Sequence, residues 1–482
     1  MATDSLLDLD PELNRCPDRL RSIHLIGICG TAMAALAGML KERGFAVSGS
    51  DANVYPPMSV FLEQLGIEPR SGYQAEHLTP PADLVIVGNV VSRPNPEVQE
   101  LARLRLPYLS LPQTLSRLFI DGRKSLVVTG THGKTTTSSM LATALHHAGM
   151  DPGFMIGGIV RQFGANYRIG GGPCFVTEGD EYDTAFFDKE SKFLHYRPDI
   201  AVITSLEFDH ADIFTDLDQI KRMFVKFVGL LPENGVIIAN TEDANVAEVV
   251  ADAPCQVESY GLTKASHWQV VDPVCRPGES RFDLRCGGSH FSTLRIKQPG
   301  LYNCLNGAAV AAVMHHAGCS PDQIAGGLWA FGGVKRRQEV RGVVNGITVI
   351  DDFAHHPTAV RETLRGLREA YPDKRLIAVF EPRTNTSRRA IFQKDYIAAF
   401  AAADLALIRE VAGDKPVDAG DRFSSRRLAE DLEALGQEAA AFEQTDLIID
   451  HIRAVGRPGD IVAILSNGGF DNIHERLLEA LR

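Results

Sequence analysis

A Gly- and Thr-rich segment, TGTHGKTTT at 129–137, is the strongest chemical pattern in the chain. It joins a short apolar run to a helical run, so backbone N–H groups and a helix N-terminus could surround phosphate oxygens. In such a loop, Lys134 would contact the β- and γ-phosphates of a nucleotide, and the Thr135 hydroxyl would bind Mg²⁺. The general motif has glycine where this chain has Val128, so the loop is a shortened version. The predicted phosphate-binding residues are Gly130, Thr131, His132, Gly133, Lys134, Thr135 and Thr136. The alternative is a Gly/Thr turn without a ligand.

Two clusters of acidic residues could supply the oxygen ligands that Mg²⁺ prefers. One follows the apolar run FVT, and the other follows AVIT. Acids at the carboxyl ends of parallel strands point into the ligand crevice of an open sheet, so both clusters are expected near the phosphate loop. A solvated charged face is the alternative for either cluster alone. The first consists of Glu178, Asp180, Glu181 and Asp183, and the second of Glu207, Asp209, His210 and Asp212.

A second glycine turn, HLIGICGTAM at 24–33, resembles part of a dinucleotide-binding fingerprint. Gly27 and Gly30 fit the pattern, and Asp51 ends the next apolar run, but Cys29 stands where the fingerprint requires glycine. The turn could hold a nicotinamide dinucleotide. Another diphosphate at the helix N-terminus is equally compatible with it.

The last third of the chain contributes further polar segments after apolar runs. IDDFAHHPT at 350–358 carries Asp351, Asp352, His355 and His356 in a spacing that matches no compact zinc pattern. These side chains are expected to contact a nucleotide or a transferring group in an interdomain cleft. KRRQEVRG at 335–342 could neutralise phosphate, and LSNGGF at 465–470 is a glycine turn after a strand. An exposed basic turn and a plain tight turn are the respective alternatives.

Alternating strand-like and helix-like runs must position these residues, which predicts an α/β fold with mainly parallel sheets. Short alternating segments at 255–298 indicate a small antiparallel patch. The motifs divide the chain into units at 1–124, 125–335 and 336–482. Strands are predicted at 22–26, 45–50, 84–88, 126–129, 175–177, 201–204, 347–350, 376–380, 405–408 and 461–465, and helices at 31–43, 303–317 and from the phosphate loop to 147.

Composition agrees with about three domains, since the chain has 482 residues. The net charge of −12 argues against a nucleic-acid partner, which calls for a basic face. The acidic, proline-broken first 22 residues do not form a signal peptide, and the apolar runs are too short to span a bilayer. The eight scattered cysteines contain no CxxC pair, which favours reduced thiols and a cytoplasmic protein.

These segments, in their order along the chain, resemble the Mur ligase family beyond about the first 20 residues. The resemblance rests on GICGTAM, GSD, TGTHGKTTT, EGDEYD, LEFDHADIF, NCLN, KRRQEVRG, DDFAHHPT and SNGGF. It implies an N-terminal Rossmann-like domain that binds UDP, a central P-loop ATPase and a C-terminal Rossmann-like domain. The first glycine turn would then hold the diphosphate of a UDP-sugar, and no nicotinamide is expected. The residues implied there are Gly27, Gly30, Thr31, Ser50 and Asp51.

Within the family, EYDTAFFDKESKF and SNGGF are similar to members that join UDP-N-acetylmuramate to L-alanyl-γ-D-glutamyl-meso-diaminopimelate in peptidoglycan recycling. Members that join UDP-N-acetylmuramate to L-alanine in peptidoglycan biosynthesis are the alternative. Rival classes are a noncatalytic nucleotide-binding scaffold, a folyl-polyglutamate synthase and a small-molecule kinase. A monomer or weak homodimer is expected.

The resemblance also implies roles for single residues in an ATP-dependent reaction that passes through an acyl phosphate. Lys134 and two Mg²⁺ ions would neutralise the transferring phosphate, with Thr135 and Glu178 on one ion and His210 on the other. His355 or an acid of the first cluster would accept a proton from the attacking amine. Asn303 would contact adenine, and Arg337 and Asp351 would contact the nucleotide. Arg383 and Asn467 are the candidates for binding the tripeptide.

Overall fold

The computed structural model describes residues 6–209, 213–383, 387–411 and 422–482. Its strands form a five-stranded, a ten-stranded and a six-stranded sheet, together with one separate two-stranded hairpin. Most strand pairs are parallel, and helices connect many of the successive parallel strands. The prediction of a three-domain α/β fold is confirmed.

The first sheet has the strand order β3-β2-β1-β4-β5, and all its pairs are parallel. Its strands Ser22–Ile26 and Leu84–Val87 are almost fully buried, and their buried residues are apolar apart from His24. The strands are β1 (Ser22–Ile26), β2 (Ala46–Asp51), β3 (Arg70–Ser71), β4 (Leu84–Val87) and β5 (Tyr108–Ser110). The helices are α1 (Thr31–Glu42), α2 (Met58–Gln64), α3 (Pro96–Leu104) and α4 (Leu111–Leu115).

The middle of the chain forms the ten-stranded sheet, ordered β17-β16-β15-β14-β13-β12-β6-β9-β7-β8, and the separate hairpin β10-β11. Its strands are β6 (Lys124–Thr129), β7 (Gly153–Val160), β8 (Ala165–Arg168), β9 (Cys174–Gly179), β10 (Asp183–Ala185), β11 (Asp188–Ser191), β12 (Ile200–Ile203), β13 (Val236–Ala239), β14 (Gln256–Gly261), β15 (Trp268–Arg276), β16 (Glu279–Cys286) and β17 (Ser289–Ile296). Its helices are α5 (Lys134–His147), α6 (Leu217–Val228), α7 (Ala244–Val249), α8 (Leu301–His316) and α9 (Pro321–Ala330).

The predicted antiparallel patch at 255–298 is correct in kind but begins later than expected. β15, β16 and β17 pair antiparallel, whereas β14 pairs parallel with β13 and with the start of β15. The alternation of Gln256–Gly261 therefore belongs to an extension of the parallel sheet, and the hairpins begin at Trp268.

The six-stranded sheet has the order β18-β19-β23-β20-β21-β22, in which only the edge pair β18-β19 is antiparallel. Its strands are β18 (Glu339–Val344), β19 (Ile347–Asp352), β20 (Leu376–Phe380), β21 (Leu405–Arg409), β22 (Glu438–Phe442) and β23 (Ile461–Leu465). Its helices are α10 (Pro357–Ala370), α11 (Gln393–Ala399), α12 (Ser425–Ala434), α13 (Thr445–Val455) and α14 (Ile473–Ala480).

The first and second sheets are joined by a contact between α1 and β8. The Tyr167 hydroxyl donates to Glu42 Oε1 at 2.9 Å, and its ring packs edge-on against Phe61. Gly38 on α1 leaves the room that the Tyr167 ring occupies, since a Cβ there would lie 2.4 Å from the Tyr167 hydroxyl oxygen. In the described part of the chain, every helix is too short or too polar to cross a lipid bilayer.

Candidate active site

A cleft of about 1230 Å³ lies where the three sheets meet. The first unit contributes Thr31 and Pro57, and the other two contribute the phosphate loop, the first acidic cluster and the turns after β19 and β23. The predicted site residues that line it are Thr31, Thr131, His132, Gly133, Lys134, Thr135, Thr136, Glu178, Asn303, Arg337, His355, Arg383 and Asn467. His210 lies outside the described residues.

The phosphate loop runs from the end of β6 to the start of α5. Gly130 and Gly133 both have positive φ, at +120° and +85°. A Cβ on Gly130 would lie 2.3 Å from Thr204 Oγ1, and one on Gly133 would lie 3.0 Å from Asn306 Oδ1. Only glycine therefore allows this close approach of the loop to its neighbours. The Thr131 backbone N–H donates to the Ser205 carbonyl at 2.8 Å, which ties the loop to the end of β12.

Lys134 is the first residue of α5, and its ammonium group lies among carboxylates. Nζ donates to the Gly130 carbonyl at 2.7 Å and to Glu181 Oε2 at 3.2 Å. Burial, the largest effect, acts to lower the pKa of Lys134, but the charges of Glu181, Asp180 and Glu178 outweigh it and raise that pKa. Lys134 is therefore a cation at neutral pH.

Thr135 and Glu178 form an oxygen pair beside the loop. Thr135 Oγ1 donates to Glu178 Oε2 at 3.1 Å, and the other carboxylate oxygen accepts from the Gly157 N–H at 2.7 Å. Burial and then the neighbouring charge of Asp180 raise the pKa of Glu178. A divalent cation at this position would relieve both effects, so the residues fit the Mg²⁺ that the sequence implies.

The second acidic cluster brings the central and C-terminal units together through Glu207. Its Oε2 atom lies 3.0 Å from His132 Nε2 on the phosphate loop and 3.7 Å from His356 Nδ1 at the start of α10. Ligand atoms of these three residues lie within 4.8 Å of one another and could hold a cation. Although burial acts to raise it, hydrogen bonding to His132 holds the pKa of Glu207 at about 2. Asp209 is buried nearby.

His355 presents one ring nitrogen to a backbone carbonyl. Nδ1 lies 3.0 Å from the Phe353 oxygen, an acceptor, so this nitrogen carries the proton and Nε2 carries the lone pair. Burial lowers the pKa of His355 below its usual value. The imidazole is thus neutral and able to accept a proton at neutral pH.

The sequence predicts nucleotide contacts for Asn303, Arg337 and Asp351. Asn303 and Arg337 line the cleft, whereas Asp351 does not. Asn303 is buried in the first turn of α8, with Nδ2 donating to the Pro299 carbonyl at 2.7 Å. The Arg337 guanidinium stacks over the Phe353 ring, 4.8 Å from its centroid. Asp351 lies outside the cleft lining, and Asp352 lines the cleft instead.

Asp351 is bound within the C-terminal unit by three basic side chains. His474 Nε2 lies 3.2 Å from it, Arg341 Nη1 lies 3.4 Å away and Arg336 Nε lies 3.5 Å away. Asp351 is 1% exposed. Its carboxylate is therefore part of the scaffold under the cleft, whereas the Arg336 guanidinium also reaches the turn after β23.

Of the residues predicted for the UDP-sugar, Thr31 lines the cleft at the N-terminus of α1. Gly27 has a φ of +86°, and its N–H donates to the Ser50 carbonyl at 2.8 Å. Asp51 Oδ2 accepts from the Cys29 N–H at 2.9 Å, and Gly30 is the N-cap of α1. The glycine turn is thus fixed by backbone bonds to β2. The Ser50 side chain is fully buried, and Gly27, Gly30 and Asp51 do not line the cleft.

The turn after β23 brings Arg383 and Asn467 together in the cleft. Gly468 makes this approach possible, since a Cβ there would lie 1.7 Å from Arg383 Nη1. Arg336 Nη2 donates to the carbonyls of Ser466 and Gly468, at 2.6 Å each. Arg336 therefore holds the turn through two hydrogen bonds, and the Arg383 guanidinium packs against Gly468.

Three family models match the chain, and together they cover most of it. They are the "Mur ligase family, catalytic domain" at residues 22–123, the "Mur ligase middle domain" at 128–314 and the "Mur ligase, glutamate ligase domain" at 336–468. The chain belongs to the Mur ligase family.

Curated relatives of this Mur ligase include two proteins named UDP-N-acetylmuramate–L-alanyl-γ-D-glutamyl-meso-2,6-diaminoheptandioate ligase. The Escherichia coli protein is 40% identical over 95% of this chain and 98% of its own length. The Haemophilus influenzae protein is 38% identical over 96% and 100%. A UDP-N-acetylmuramate–L-alanine ligase from Acetivibrio thermocellus is 34% identical over 96% and 97%.

Solved structures give the same picture of the Mur ligase fold. A murein peptide ligase from Psychrobacter arcticus is 37% identical, with a TM-score of 0.69 over 96% of this chain and 98% of that chain. A UDP-N-acetylmuramate–alanine ligase from Thermotoga maritima is 25% identical, with a TM-score of 0.75 over 95% and 98%.

Two features of this Mur ligase site were missed in the sequence. Glu207 contacts histidines of two units, and Arg336 holds the turn after β23. Both residues lie within charged segments of the sequence, but Glu207 is 75 residues from His132, and Arg336 is 130 residues from Ser466. Nothing in the local pattern indicates such pairings.

Proposed function

We propose that this chain is an ATP-dependent amide ligase that joins the carboxylate of UDP-N-acetylmuramate to the amine of L-alanyl-γ-D-glutamyl-meso-diaminopimelate, a reaction of peptidoglycan recycling. The observation that carries the proposal is the 40% identity, over 95% of the chain, to the Escherichia coli protein named for this reaction. The Acetivibrio thermocellus and Salinibacter ruber L-alanine ligases are 34% and 36% identical.

The first step is activation of the muramate carboxylate by transfer of the ATP γ-phosphate, which forms an acyl phosphate and ADP. Both reactants are anionic, so the barrier is largely electrostatic. Lys134 is a cation at the phosphate loop and can leave Glu181 to contact the transferring phosphate. The loop N–H groups and the N-terminus of α5 bind the other phosphate oxygens. Asn303 and Arg337 contact the base and the rest of the nucleotide, and Asp351 supports this end of the cleft from beneath.

Thr135 and Glu178 would hold one Mg²⁺ ion, which would neutralise phosphate charge. A second ion would be bound where Glu207 approaches His132 and His356. The sequence assigns His210, which lies outside the described residues, as a further ligand of this ion. The acidic surroundings of Lys134 favour cations on this side of the cleft, and that supports two ions.

The second step is attack of the tripeptide amine on the acyl phosphate, with phosphate as the leaving group. The amine must lose a proton, and His355 Nε2 is the acceptor that the structure favours, because Nδ1 faces the Phe353 carbonyl. Arg383 and Asn467 bind carboxylate and amide groups of the tripeptide. The diphosphate of UDP-N-acetylmuramate would lie at the turn of Gly27 and Gly30, near Thr31 and the end of β2 that carries Ser50 and Asp51.

We also propose that the three units are bounded at 124/125 and 335/336, and that the protein works in the cytoplasm as a monomer or weak homodimer.

A substrate panel tests the reaction. Purified protein is supplied with ATP, Mg²⁺ and UDP-N-acetylmuramate, and with either the tripeptide or free L-alanine. Phosphate release and product mass are measured. We expect a product with the tripeptide and little or none with L-alanine. Use of L-alanine alone would assign the chain to the biosynthetic reaction, and phosphate release without any amide product would overturn both readings.

A further inference from the structure

A buried carboxylate lies beneath the glycine turn of the first unit. Glu97, near the start of α3, has no exposed surface, and the predicted site does not include it. Its Oε2 atom lies 2.7 Å from Ser50 Oγ and 3.1 Å from His24 Nε2. Its Oε1 atom lies 2.7 Å from His77 Nδ1 and 3.3 Å from the Gln74 backbone N. Four donors from four parts of the unit thus converge on one side chain.

Glu97 is ionised in this setting. Burial, the largest effect, acts to raise its pKa, but hydrogen bonds from His24, Ser50 and His77 outweigh burial and lower it. The Asn95 side chain caps α3 at the Glu97 N–H, 2.9 Å away, and the helix N-terminus favours an anion. A buried charged network is seldom the most stable solution, because apolar residues of similar volume often do as well or better. Stability alone is therefore a weak reason for this arrangement.

One residue links Glu97 to the glycine turn. The hydroxyl of Ser50 donates to Glu97, and the carbonyl of Ser50 accepts the N–H groups of Gly27 at 2.8 Å and Ile28 at 3.0 Å. The next residue, Asp51, accepts the Cys29 N–H. The orientation of the end of β2 therefore sets the orientation of the turn, and Glu97 fixes the end of β2 through Ser50.

We propose that Glu97 is a positioning residue for the diphosphate of UDP-N-acetylmuramate: it holds Ser50, and through Ser50 it aims the glycine turn and the N-terminus of α1 at the ligand. This inference rests on the proposed function, which assigns the UDP-sugar to this turn. Glu97 has no surface in the cleft and acts only through its hydrogen-bond partners.

The test compares Glu97→Gln, Ser50→Ala and the double variant in the full chain. Glutamine keeps the size of Glu97 but turns an NH₂ group toward donors. We expect the KM and the calorimetric Kd for UDP-N-acetylmuramate to rise on the order of tenfold in Glu97→Gln, as for loss of a charged hydrogen bond. The KM for ATP stays within about twofold, because the phosphate loop belongs to another unit. Glu100→Gln, on the same helix, is the matched control, since the partner of Glu100 in the described part of the chain is the exposed Arg103.

The double variant decides whether Glu97 acts through Ser50. If it does, the two losses in affinity overlap, and the double variant is no weaker than the weaker-binding single variant. Additive losses overturn this route, as does a Glu97→Gln protein with a lower melting temperature and an unchanged KM for UDP-N-acetylmuramate. If Glu97→Gln does not fold, an unchanged KM in Ser50→Ala overturns it. Failure of the wild-type protein to bind UDP-N-acetylmuramate would instead overturn the proposed function.

Discussion

Lys134 has a fixed position at the start of α5, and a phosphate could take the place of its hydrogen-bond acceptors. Its ammonium contacts one backbone carbonyl and one carboxylate, and it lies 13% exposed at the edge of the cleft. Surrounding acids raise its pKa, so the charge is present throughout the neutral range. The same acids create a negative electrostatic potential around the loop, which favours Mg²⁺. The positive charge of Lys134 offsets part of this potential where the anionic phosphate would bind.

Replacement of Lys134 by alanine tests this role. We expect Lys134→Ala to lower kcat by about a hundredfold to a thousandfold, as for removal of a group that stabilises transition-state charge. Binding of UDP-N-acetylmuramate, measured by calorimetry, stays near the wild-type value because its turn lies in another unit. Lys189→Ala is the control, since Lys189 forms a surface pair with Asp183. Near wild-type amide formation by Lys134→Ala would remove the loop from the mechanism.

As the proposed proton acceptor, His355 would make the reaction dependent on pH in one direction. Burial lowers its pKa, so the neutral base persists below the usual histidine value of about 6.5. As the pH falls through this lowered pKa, His355 gains a proton and can no longer accept one from the amine. We expect kcat to fall on the acid side with a midpoint below about 6.5.

His355→Gln isolates that effect. The variant is expected to lose about a hundredfold in kcat and to lose the acid limb of the pH profile. Steady-state rates at saturating substrates between pH 5 and 8 measure both quantities. An acid limb that persists unchanged in His355→Gln would assign the base to another group, such as an acid of the first cluster.

At the scale of elements, much of the framework is predictable because buried parallel strands are short, apolar and followed by glycine or acids. The strand at 22–26 and the helices after both glycine turns were predicted within a residue or two. β7 and β8 were not predicted, since GFMIGGIV has two adjacent glycines and no alternation. The β7–β8 pair is stabilised by the pairing of β7 with β9 and by the contact of Tyr167 with α1. Neither interaction is local in sequence.

In the candidate site, too, some positions are predictable from the sequence and others are not. The phosphate loop and Glu178 lie at strand ends that the sequence marks, so their meeting was predictable. Ser50 and Asp351 belong to correctly predicted segments, but their side chains turn away from the cleft toward buried partners. The direction of a side chain at a strand end depends on which residues pack behind it, and those come from α3 and α14.

The turn after β23 offers a prediction at this scale. A methyl group on Gly468 would occupy the place of the Arg383 guanidinium, whereas one on Gly469 would meet no atom within 4 Å. Gly468→Ala should therefore displace Arg383 and raise the KM for the tripeptide on the order of tenfold, while Gly469→Ala leaves it unchanged. Initial rates over a tripeptide series measure both. Equal KM values in the two variants would remove Arg383 from the tripeptide site.

At the scale of the whole molecule, the net charge of −12 contrasts with substrates that are all anions. The positive charge needed to bind these anions is local. The cleft is lined by Lys134, by the helix N-termini at both glycine turns and by arginines of the last unit. In the proposed mechanism, acids of the central unit would contribute to cation binding. One of them, Glu207, also joins the central unit to the C-terminal unit through His356.

This contact between units predicts how acid affects the whole fold. Burial lowers the pKa of His356 to about 4, below the value of about 6.5 expected in the unfolded chain. The unfolded state therefore binds this proton first, and the stabilisation, complete above pH 6.5, is lost as the pH falls toward 4. Between pH 7 and 4.5, we expect the free energy of unfolding to fall by about 2 kcal/mol more in the wild type than in His356→Gln. Urea unfolding at each pH measures this difference, with the exposed His290→Gln as control. If the free energy of unfolding depended on pH in the same way in all three proteins, protonation of His356 would not contribute to the loss of stability in acid.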